Sequence, residues 1–337
     1  MVRLGIIGAG LMGQLHAKSS AGNPLISIDA VCDINCEVAE KLAVQSGARA
    51  YTDVDAMLAG TELDAVVVST PDNLHADSVI KAANAGKSIM IEKPFATSRN
   101  DAKRMMEAIE RNGVKTQMAH VFRFLPIYMN IKNAAAAGEL GDILSTNVTM
   151  LNRLFVPTKM LKWAASSSPS WFLLSHSIDT IMWINGCRVK SVHAQGIKKK
   201  LVSMGVDTYD IVKVTAELEN GAISTFEANW VIPDSLPVTA AVKMMVSGTK
   251  GAMMIDTGDQ IATKALDSGY SLPGFFEYDL YGYYSGLHRN MIETFARCVE
   301  NDVTPPTVAQ DGFNTSCVLE DIDLSMATGE EIVVKYI

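Results

Sequence analysis

Along roughly the first 120 residues, short apolar runs alternate with longer stretches of helical periodicity. The apolar runs are R-L-G-I-I, S-I-D-A-V-C-D, A-V-V-V-S, S-I-M-I-E and K-T-Q-M-A. Most of them carry Val, Ile or Met on both faces of the strand. Strands of this kind are typical of a parallel sheet that is covered by helices on each side. The pattern therefore predicts a doubly wound α/β domain.

Beyond Gly138 and Gly141 the apolar pattern changes to a period of two residues. V-H-A-Q-G, V-K-V-T-A-E-L and S-T-F-E-A-N-W alternate apolar with polar positions, as antiparallel strands with one wet face do. Turn sequences such as Glu219-Asn220-Gly221 stand between them. The pattern predicts a second, α+β domain with an open, mostly antiparallel sheet. We place the domains at residues 1–121 and 122–337.

Composition and charge narrow the range of partners. Of the 337 residues, 48% are hydrophobic and 20% are charged, which is ordinary for a globular protein. The net charge of −8 argues against nucleic acid or a membrane as partner, because both attract basic surfaces. The chain has no apolar run of membrane-spanning length, and no cleavable apolar segment follows Met1. We therefore expect a cytoplasmic protein that acts on a small molecule.

The cysteines give no sign of disulfides or of a metal site. There are five, widely scattered, and an odd number suits a reducing compartment. Cys32 and Cys36 are close in sequence, but no second pair stands at zinc-ligand spacing. We therefore interpret both as buried thiols.

A glycine-rich loop follows the first predicted strand and opens a predicted helix. Its sequence is Gly8-Ala9-Gly10-Leu11-Met12-Gly13, which matches G-x-G-x-x-G. Gly8 permits the tight turn, Gly10 lets the backbone approach a pyrophosphate, and Gly13 lets the helix lie close to the strand. The helix start, at Leu11 and Met12, offers free backbone N–H groups to the anion. The context predicts a Rossmann dinucleotide site; the alternative is a glycine turn without a ligand.

The second predicted strand ends at Asp33, about twenty residues after the last glycine. An acid at this place can bind the hydroxyls of the adenosine ribose and repels a 2′-phosphate. No arginine follows in Ile34-Asn35-Cys36 to neutralise such a phosphate. The sequence therefore predicts NAD as the cofactor in preference to NADP. The alternative is that Asp33 caps the helix that begins near Cys36.

The third predicted strand is followed by S-T-P-D-N-L-H. The carboxyl ends of parallel strands face the ligand crevice, so we expect Thr70, Asn73 and His75 near the cofactor. The alternative for each side chain is a turn followed by a helix start, with Pro71 and Asp72 as turn residues.

The fourth predicted strand ends in Glu92-Lys93-Pro94. An ammonium at the mouth of a buried strand is costly unless it has a task or a partner. Pro94 ends the strand and so holds the geometry around Lys93. Beside a nicotinamide ring, a fixed cation can bind a substrate oxygen and stabilise its alkoxide character during hydride transfer. The alternative is a structural ion pair between Glu92 and Lys93.

Together these motifs resemble those of the glucose–fructose oxidoreductase, inositol dehydrogenase and MocA family, Gfo/Idh/MocA. The resemblance rests on G-x-G-x-x-G, T-P-x-x-x-H, E-K-P and V-F-R-F-L-P-I-Y, with A-A-G-E-L-G-D-I, V-S-G-T-K-G and D-G-F-N-T-S further along. It implies an NAD(P)-dependent dehydrogenase of sugars, polyols or related alcohols, with the E-K-P lysine at the reacting oxygen. It also implies a homo-oligomer, a dimer or tetramer, formed through the sheet of the second domain.

The family commonly carries D-x-x-x-H-D-x-D, and the matching phrase here is F-L-L-S-H-S-I-D. His176 falls on the family histidine and Asp179 on the last aspartate. Phe172 and Ser177 stand at the other two acidic positions. Histidine is suited to take the hydroxyl proton as hydride leaves, so we predict His176 as the general base; the alternative is a packed histidine. Phe172 favours a substrate with an aryl, deoxy or otherwise less polar part.

Several other side chains are candidates for the wall of the substrate pocket. They are Arg123, Arg153, Trp163, and the run Tyr281, Tyr283 and Tyr284 that leads to His288, with His120 close to Arg123 in a family-like phrase. Arginine can hold a carboxylate, and aromatic rings can stack on the C–H faces of a sugar. The alternative for each is packing in the sheet or at a subunit interface.

We therefore expect an NAD-dependent oxidoreductase that transfers a hydride between nicotinamide and a secondary alcohol or carbonyl of a sugar, cyclitol or related molecule. The alternative from another class is a non-catalytic, dinucleotide-binding sensor of the same fold. Lys93 argues against the sensor, which gains nothing from a catalytic ammonium, whereas Phe172 argues modestly for it.

Overall fold

A computed structural model of the chain describes residues 1–258, 264–266, 269–271 and 276–337. Its contacts divide the chain into two compact units. The first unit consists of Met1–Phe124 and Phe275–Ser316, and the second of Leu125–Gly274 and Cys317–Ile337. This division differs from domains at 1–121 and 122–337 because a late segment of the chain belongs to the first unit.

The first unit is built on a parallel sheet. Its strands are β1 Val2–Ile7, β2 Ile26–Cys32, β3 Arg49–Tyr51, β4 Ala65–Val68, β5 Ser88–Ile91 and β6 Thr116–Met118. They pair in the order β3-β2-β1-β4-β5-β6, all parallel, which confirms the predicted doubly wound domain. All four residues of β4 are 0% exposed, as expected for a strand that is covered on both faces.

Five of the six strands lie in the predicted apolar runs, and β3 was missed. This strand has three residues, two exposed and one half-buried, so it leaves no apolar run in the sequence. Glu92-Lys93-Pro94 accordingly follows the fifth strand and not the fourth, as the sequence had suggested.

Five helices connect these strands. They are α1 Leu11–Ser20, α2 Cys36–Ser46, α3 Val54–Gly60, α4 His75–Asn84 and α5 Arg99–Asn112. A side chain caps the start of α2, α3 and α5, whereas α1 and α4 begin without a side-chain cap. The first N–H groups of α1 and α4 are therefore not used by a capping side chain.

The rest of the chain continues with further helices and strands. In order they are α6 Pro126–Ala136, β7 Ile143–Arg153, α7 Ser175–Asn185, β8 Val189–Ile197, α8 Lys200–Ser203, β9 Ile211–Leu218, β10 Ile223–Ile232, β11 Ala240–Gly248, β12 Ala252–Asp256, β13 Lys264–Leu266, β14 Gly269–Ser271, β15 Glu277–Leu280, β16 Tyr283–Gly286, α9 Leu287–Glu300, α10 Ala309–Thr328 and β17 Ile332–Val333. Of these, β15, β16 and α9 belong to the first unit.

The second unit holds a seven-stranded sheet in the order β12-β11-β7-β10-β9-β8-β17. β7 and β10 pair in parallel, and the other neighbours are antiparallel, so the predicted open, mostly antiparallel sheet is confirmed. Along β9, Val212, Val214 and Ala216 are buried while Lys213 and Thr215 are exposed. One face of the sheet is therefore apolar and packed, and the other is polar.

All five cysteines are free thiols. Cys32 is buried as predicted, but Cys36 is exposed at the start of α2, where its Sγ lies 3.3 Å from a carboxylate oxygen of Glu40. The prediction of a buried thiol at Cys36 was wrong, because a helix start can face solvent. Among the residues that the structure describes, no group of three or more His, Cys, Asp or Glu side chains could hold a metal ion. In the same part of the chain, no helix has the length and apolarity to span a membrane.

Candidate active site

The loop between β1 and α1 has the shape that a dinucleotide needs. Gly8 has a φ of +94°, and a Cβ on it would lie 2.6 Å from the backbone that follows β4. A Cβ on Gly13 would lie 2.0 Å from the Gly8 carbonyl oxygen. At Gly10 no atom lies within 4 Å of a Cβ position, which leaves room for a pyrophosphate. The uncapped N–H groups at Leu11 and Met12 are suited to bind its charge.

Asp33 follows β2 and binds this glycine loop directly. Its Oδ2 accepts a hydrogen bond from the backbone N–H of Ala9 at 2.8 Å, and its Oδ1 accepts one from the N–H of Asn35 at 2.9 Å. The alternative role of Asp33 as the cap of α2 was wrong, because Asn35 is the N-cap and its side chain accepts bonds from Glu37 and Val38. Each carboxylate oxygen of Asp33 keeps acceptor capacity for a ribose hydroxyl.

The loop after β4 is joined to the E-K-P turn by His75. This histidine is 1% exposed, with Nδ1 2.8 Å from the Pro94 carbonyl oxygen and Nε2 3.0 Å from the Thr70 carbonyl oxygen. The Thr70 hydroxyl is buried and has no hydrogen-bond partner among the described residues. Asn73 is exposed. His75 therefore ties two loops together through both ring nitrogens. Of the predicted side chains, Asn73 is exposed and can meet a ligand, whereas the Thr70 hydroxyl is closed off from solvent.

Glu92 is a buried carboxylate that two hydrogen bonds hold in place. Nε2 of His16 lies 2.7 Å from its Oε1, and the backbone N–H of Lys93 donates to its Oε2 at 3.2 Å. Glu92 is 5% exposed and His16 is 0% exposed. Burial acts to raise the pKa of Glu92, but the bond from His16 and the charges of His16, His288 and Lys93 lower it below its usual value. Glu92 is therefore ionised at neutral pH.

Lys93 is half-buried and follows β5 directly, with a cis peptide bond to Pro94. Burial lowers the pKa of its ammonium, while the charges of Asp72 and Glu92 oppose that shift. Asp72 is 8% exposed, and burial raises the pKa of its own carboxyl. The sequence offered Asp72 as a turn residue, and its proximity to Lys93 was missed. Two acids thus support the charged form of Lys93 against the effect of burial, and an ammonium held in this way can donate a hydrogen bond.

Further ionisable groups lie next to His16, the hydrogen-bond partner of Glu92. The rings of His16 and His288 meet edge to face, with their centroids 6.1 Å apart. Nδ1 of His288 bonds to the carboxylate of Glu277, which also accepts a bond from the Tyr284 hydroxyl. His288 was a candidate for the substrate wall, and the structure places it in this network of the first unit. Sequence reasoning missed His16, whose signal was a polar residue on the buried face of α1.

Arg123 and His120 follow β6 in the first unit. The Arg123 side chain is 9% exposed and pairs with Asp311, with Nη2 3.2 Å from Oδ1. His120 is 2% exposed, and its burial, aided by the charge of Arg123, lowers its pKa to about 3. His120 is therefore neutral at ordinary pH. Arg123 therefore already has a carboxylate partner within the first unit, and its place in the substrate wall stays a prediction.

His176 lies in the first turn of α7 in the second unit and is half-buried. Phe172 precedes it by one turn, in the π-helical segment Ser170–Leu174. The Phe172 ring lies 6.2 Å from that of Trp163 and 5.8 Å from that of Trp230, between centroids. An aromatic cluster thus stands where the family pattern has its first acid. Trp230 is fully buried and was not singled out from the sequence.

The other two acidic positions of the family pattern differ from each other. Ser177 is fully buried, and its hydroxyl donates to Sδ of Met150 at 2.9 Å. It does not replace the missing carboxylate. Asp179 is 1% exposed and lies one turn after His176 within α7. Asp179 is therefore the remaining acid of this pattern.

Arg153 lies at the end of β7 and contacts the segment before β11. Its Nη2 donates to the Thr239 hydroxyl at 3.3 Å, and its Nη1 lies 3.5 Å from the carbonyl oxygens of Asp234 and Leu236. These bonds join two segments of the second unit, and the place of Arg153 in the substrate wall stays a prediction. Of the predicted tyrosines, Tyr281 and Tyr283 are exposed.

Two family models match the chain in succession. The model of the Gfo/Idh/MocA oxidoreductase family, with an NAD-binding Rossmann fold, matches residues 2–120, and the model of the Gfo/Idh/MocA C-terminal domain matches residues 128–254. The chain belongs to the Gfo/Idh/MocA family. This protein is accordingly an oxidoreductase, and its first domain is NAD-binding, as the sequence predicted.

Named relatives extend along almost the whole chain. The inositol 2-dehydrogenase of Rhizobium meliloti (strain 1021) is 26% identical over 339 residues, which cover 99% of this Gfo/Idh/MocA chain and 99% of the relative. The scyllo-inositol 2-dehydrogenase (NAD(+)) of Bacillus subtilis (strain 168) is 28% identical over 312 residues, 90% of this chain and 88% of the relative. The crystal structure of myo-inositol 2-dehydrogenase from Lactobacillus plantarum has a TM-score of 0.87 at 19% identity and covers 99% of both chains.

Proposed function

We propose that this protein is an NAD-dependent dehydrogenase or reductase of a cyclitol, a sugar or a related small molecule. The observation that carries the proposal is Lys93, a half-buried lysine of lowered pKa at the carboxyl end of β5. In parallel α/β sheets that end of the strands borders the ligand crevice. Two relatives that match nine-tenths or more of the chain are inositol dehydrogenases, which supports a cyclitol or sugar as substrate.

The cofactor is held by the first unit. The loop from Gly8 to Gly13 receives the pyrophosphate, and Asp33 accepts the ribose hydroxyls. When bound, the nicotinamide supplies the group that accepts or donates hydride. The ammonium of Lys93 donates a hydrogen bond to the reacting oxygen and stabilises the negative charge that this oxygen develops. Glu92 and Asp72 keep that ammonium protonated against the effect of burial.

His176 is the proposed acid and base. It takes the hydroxyl proton when an alcohol is oxidised and returns it when a carbonyl is reduced. Asp179, one turn along α7, is the acid nearest to it in sequence. Phe172 and Trp163 are half-buried, and Phe172 lies one turn from His176. These rings favour a substrate that has a less polar part, such as a deoxy, O-methyl or aryl group.

A non-catalytic sensor remains the second candidate, because Phe172 and Ser177 replace two acids of the family pattern. The two candidates differ in one observable. The enzyme turns over a substrate, whereas the sensor binds the dinucleotide and shows no turnover.

A panel assay separates the candidates. NAD(H) binding is followed by cofactor fluorescence, and turnover is followed by absorbance with inositols, inososes, sugars and their deoxy, O-methyl and aryl derivatives. We expect binding together with turnover of at least one compound. Binding without turnover across the panel supports the sensor, and no binding at all overturns both candidates. Parallel titration with NADP(H) tests whether Asp33 excludes the 2′-phosphate.

We further expect a dimer or tetramer that forms through the sheet of the second unit. The polar face of this sheet exposes His193, Thr215 and Thr225 on three neighbouring strands. Light scattering of the purified protein tests this expectation, and a monomer at micromolar concentration would refute it.

A further inference from the structure

Two buried histidines, from two different helices, form hydrogen bonds to the E-K-P turn. His16 on α1 bonds to the side chain of Glu92, and His75 at the start of α4 bonds to the carbonyl oxygen of Pro94. Both histidines are at most 1% exposed. The residue before Lys93 and the residue after it are therefore each tied to a helix of the first unit.

Apart from its bond to Glu92, the surroundings of His16 do not favour a polar side chain. Its ring is fully buried, and Nδ1 has no hydrogen-bond partner among the described residues. Burying an imidazole with one nitrogen unsatisfied is costly, and an apolar side chain in its place would avoid that cost. The bond from Nε2 to Glu92 is the feature that an apolar side chain cannot supply.

We propose that His16 is a positioning residue for Lys93 and acts on it through Glu92. Nε2 of His16 holds Oε1 of Glu92 at 2.7 Å, and Oε2 of the same carboxylate holds the backbone N–H of Lys93 at 3.2 Å. This chain of contacts fixes the backbone from which the ammonium extends. The role rests on the proposed function, in which that ammonium meets the reacting oxygen.

The same contacts control the charge of Lys93. The charges of His16, His288 and Lys93 lower the pKa of Glu92, and the charge of Glu92 raises the pKa of His120. The charges of Asp72 and Glu92 raise the pKa of Lys93 against the effect of burial. Without His16, Glu92 loses the hydrogen bond that keeps it ionised. A protonated Glu92 no longer supports the ammonium, so the pKa of Lys93 falls.

Two substitutions test the bond. His16→Gln keeps an N–H donor near the place of Nε2, whereas His16→Ala removes it. Ser20→Ala is the matched control, because Ser20 is a buried polar residue one turn further along α1 and its hydroxyl donates to the His16 carbonyl oxygen. Circular dichroism and NADH fluorescence check that each variant folds and binds the cofactor.

The test titrates Lys93 in the full chain without substrate. The protein is labelled with trace acetic anhydride between pH 6 and 11, and the fraction modified at Lys93 is measured by peptide mass spectrometry. We expect the labelling midpoint of Lys93 to fall by about one pH unit in His16→Ala and by less in His16→Gln. Ser20→Ala should leave the midpoint unchanged.

Each other outcome has a separate meaning. An unchanged midpoint in folded His16→Ala overturns the proposal. An unfolded variant gives a labelling midpoint near that of a free lysine, about 10.4, so misfolding is recognised by an upward shift. In that case the midpoint of His16→Gln decides the test.

Where a substrate is known, His16→Ala should lower kcat about tenfold or more while the affinity for NADH stays within about twofold, and His16→Gln should recover part of the lost kcat. Absence of any substrate refutes the proposed function without deciding the labelling result.

Discussion

Lys93 in the first unit and His176 in the second have opposite surroundings. Around Lys93 stand the buried acids Asp72 and Glu92, with His16 bonded to the second of them. Beside His176 stands Phe172, whose ring packs between Trp163 and Trp230. One candidate group is tuned by charge, and the other borders an aromatic cluster.

On the proposed function, the difference implies a division of tasks between Lys93 and the residues near Phe172. Charged groups set the protonation and position of the lysine, and those requirements are the same for any alcohol that is oxidised. Apolar rings discriminate between substrates because they stack on less polar groups and exclude polar ones. We therefore expect changes near Lys93 to reduce turnover of every substrate, and changes near Phe172 to alter which substrate is preferred.

Lys93→Met tests the charged half of the comparison and should have the largest effect. Removing the ammonium leaves the developing charge on oxygen without a donor, so kcat should fall about a thousandfold with each substrate of the panel. The affinity for NADH should change little. Steady-state kinetics and fluorescence titration measure both quantities. Lys103→Met, at an exposed position on α5, is the control, and equal activity in the two variants would remove Lys93 from the chemistry.

His176→Ala should have the next largest effect. General acid and base catalysis contributes roughly a hundred- to ten-thousandfold, and we expect a loss of about a hundredfold because the carboxylate one turn earlier is replaced by Phe172. The control is Lys200→Ala, at an exposed position on α8 in the same unit. A rate that stays at the wild-type value would show that His176 is a packed residue.

Phe172→Asp tests the aromatic half of the comparison by restoring the family acid. A carboxylate one turn from His176 can accept bonds from a polyol hydroxyl, so kcat/KM should rise about tenfold for free inositols and fall for less polar analogues. Phe172→Leu keeps an apolar side chain and should preserve the order of preference. If both variants keep the wild-type order of substrates, Phe172 does not determine specificity.

Asp323→Asn should affect stability rather than turnover. Asp323 bonds to Nε1 of Trp171, next to Phe172, and burial raises the pKa of its carboxyl to about 6. Because the folded state prefers the protonated acid, its stabilising effect is complete below about pH 4 and is lost as the pH rises through 6. The amide avoids this loss and should raise the free energy of unfolding by about 1–2 kcal/mol at pH 8 but not at pH 4. Urea unfolding at both pH values checks the sign; an equal effect at both refutes it.

The parallel sheet and the glycine loop could be predicted because their signals are local. Apolar strands, a G-x-G-x-x-G turn and an acid after β2 each occupy a few neighbouring residues. The strand β3 could not be predicted, since two of its three residues are exposed and it has no apolar run. The return of β15, β16 and α9 to the first unit also has no local signal, because it depends on contacts between distant parts of the chain.

The same limit applies to the candidate site. The place of Lys93 at a strand end followed from topology, whereas its neighbours came from elsewhere in the chain. The bond between His16 and Glu92 joins residues 76 positions apart, and no short motif contains both. Asn35 caps α2 in place of Asp33 because Asn35 stands directly before Cys36, the first residue of the helix. Sequence patterns thus located the lysine but not the groups that tune it.

The most direct measurement is a crystal structure of the protein with NAD and a compound that it turns over. The central claim requires the ammonium of Lys93 to meet the oxygen on the carbon that exchanges hydride. We predict that Nζ lies about 3 Å from this oxygen, within hydrogen-bond reach. An Nζ more than about 5 Å away, with no bridging water, would contradict the account.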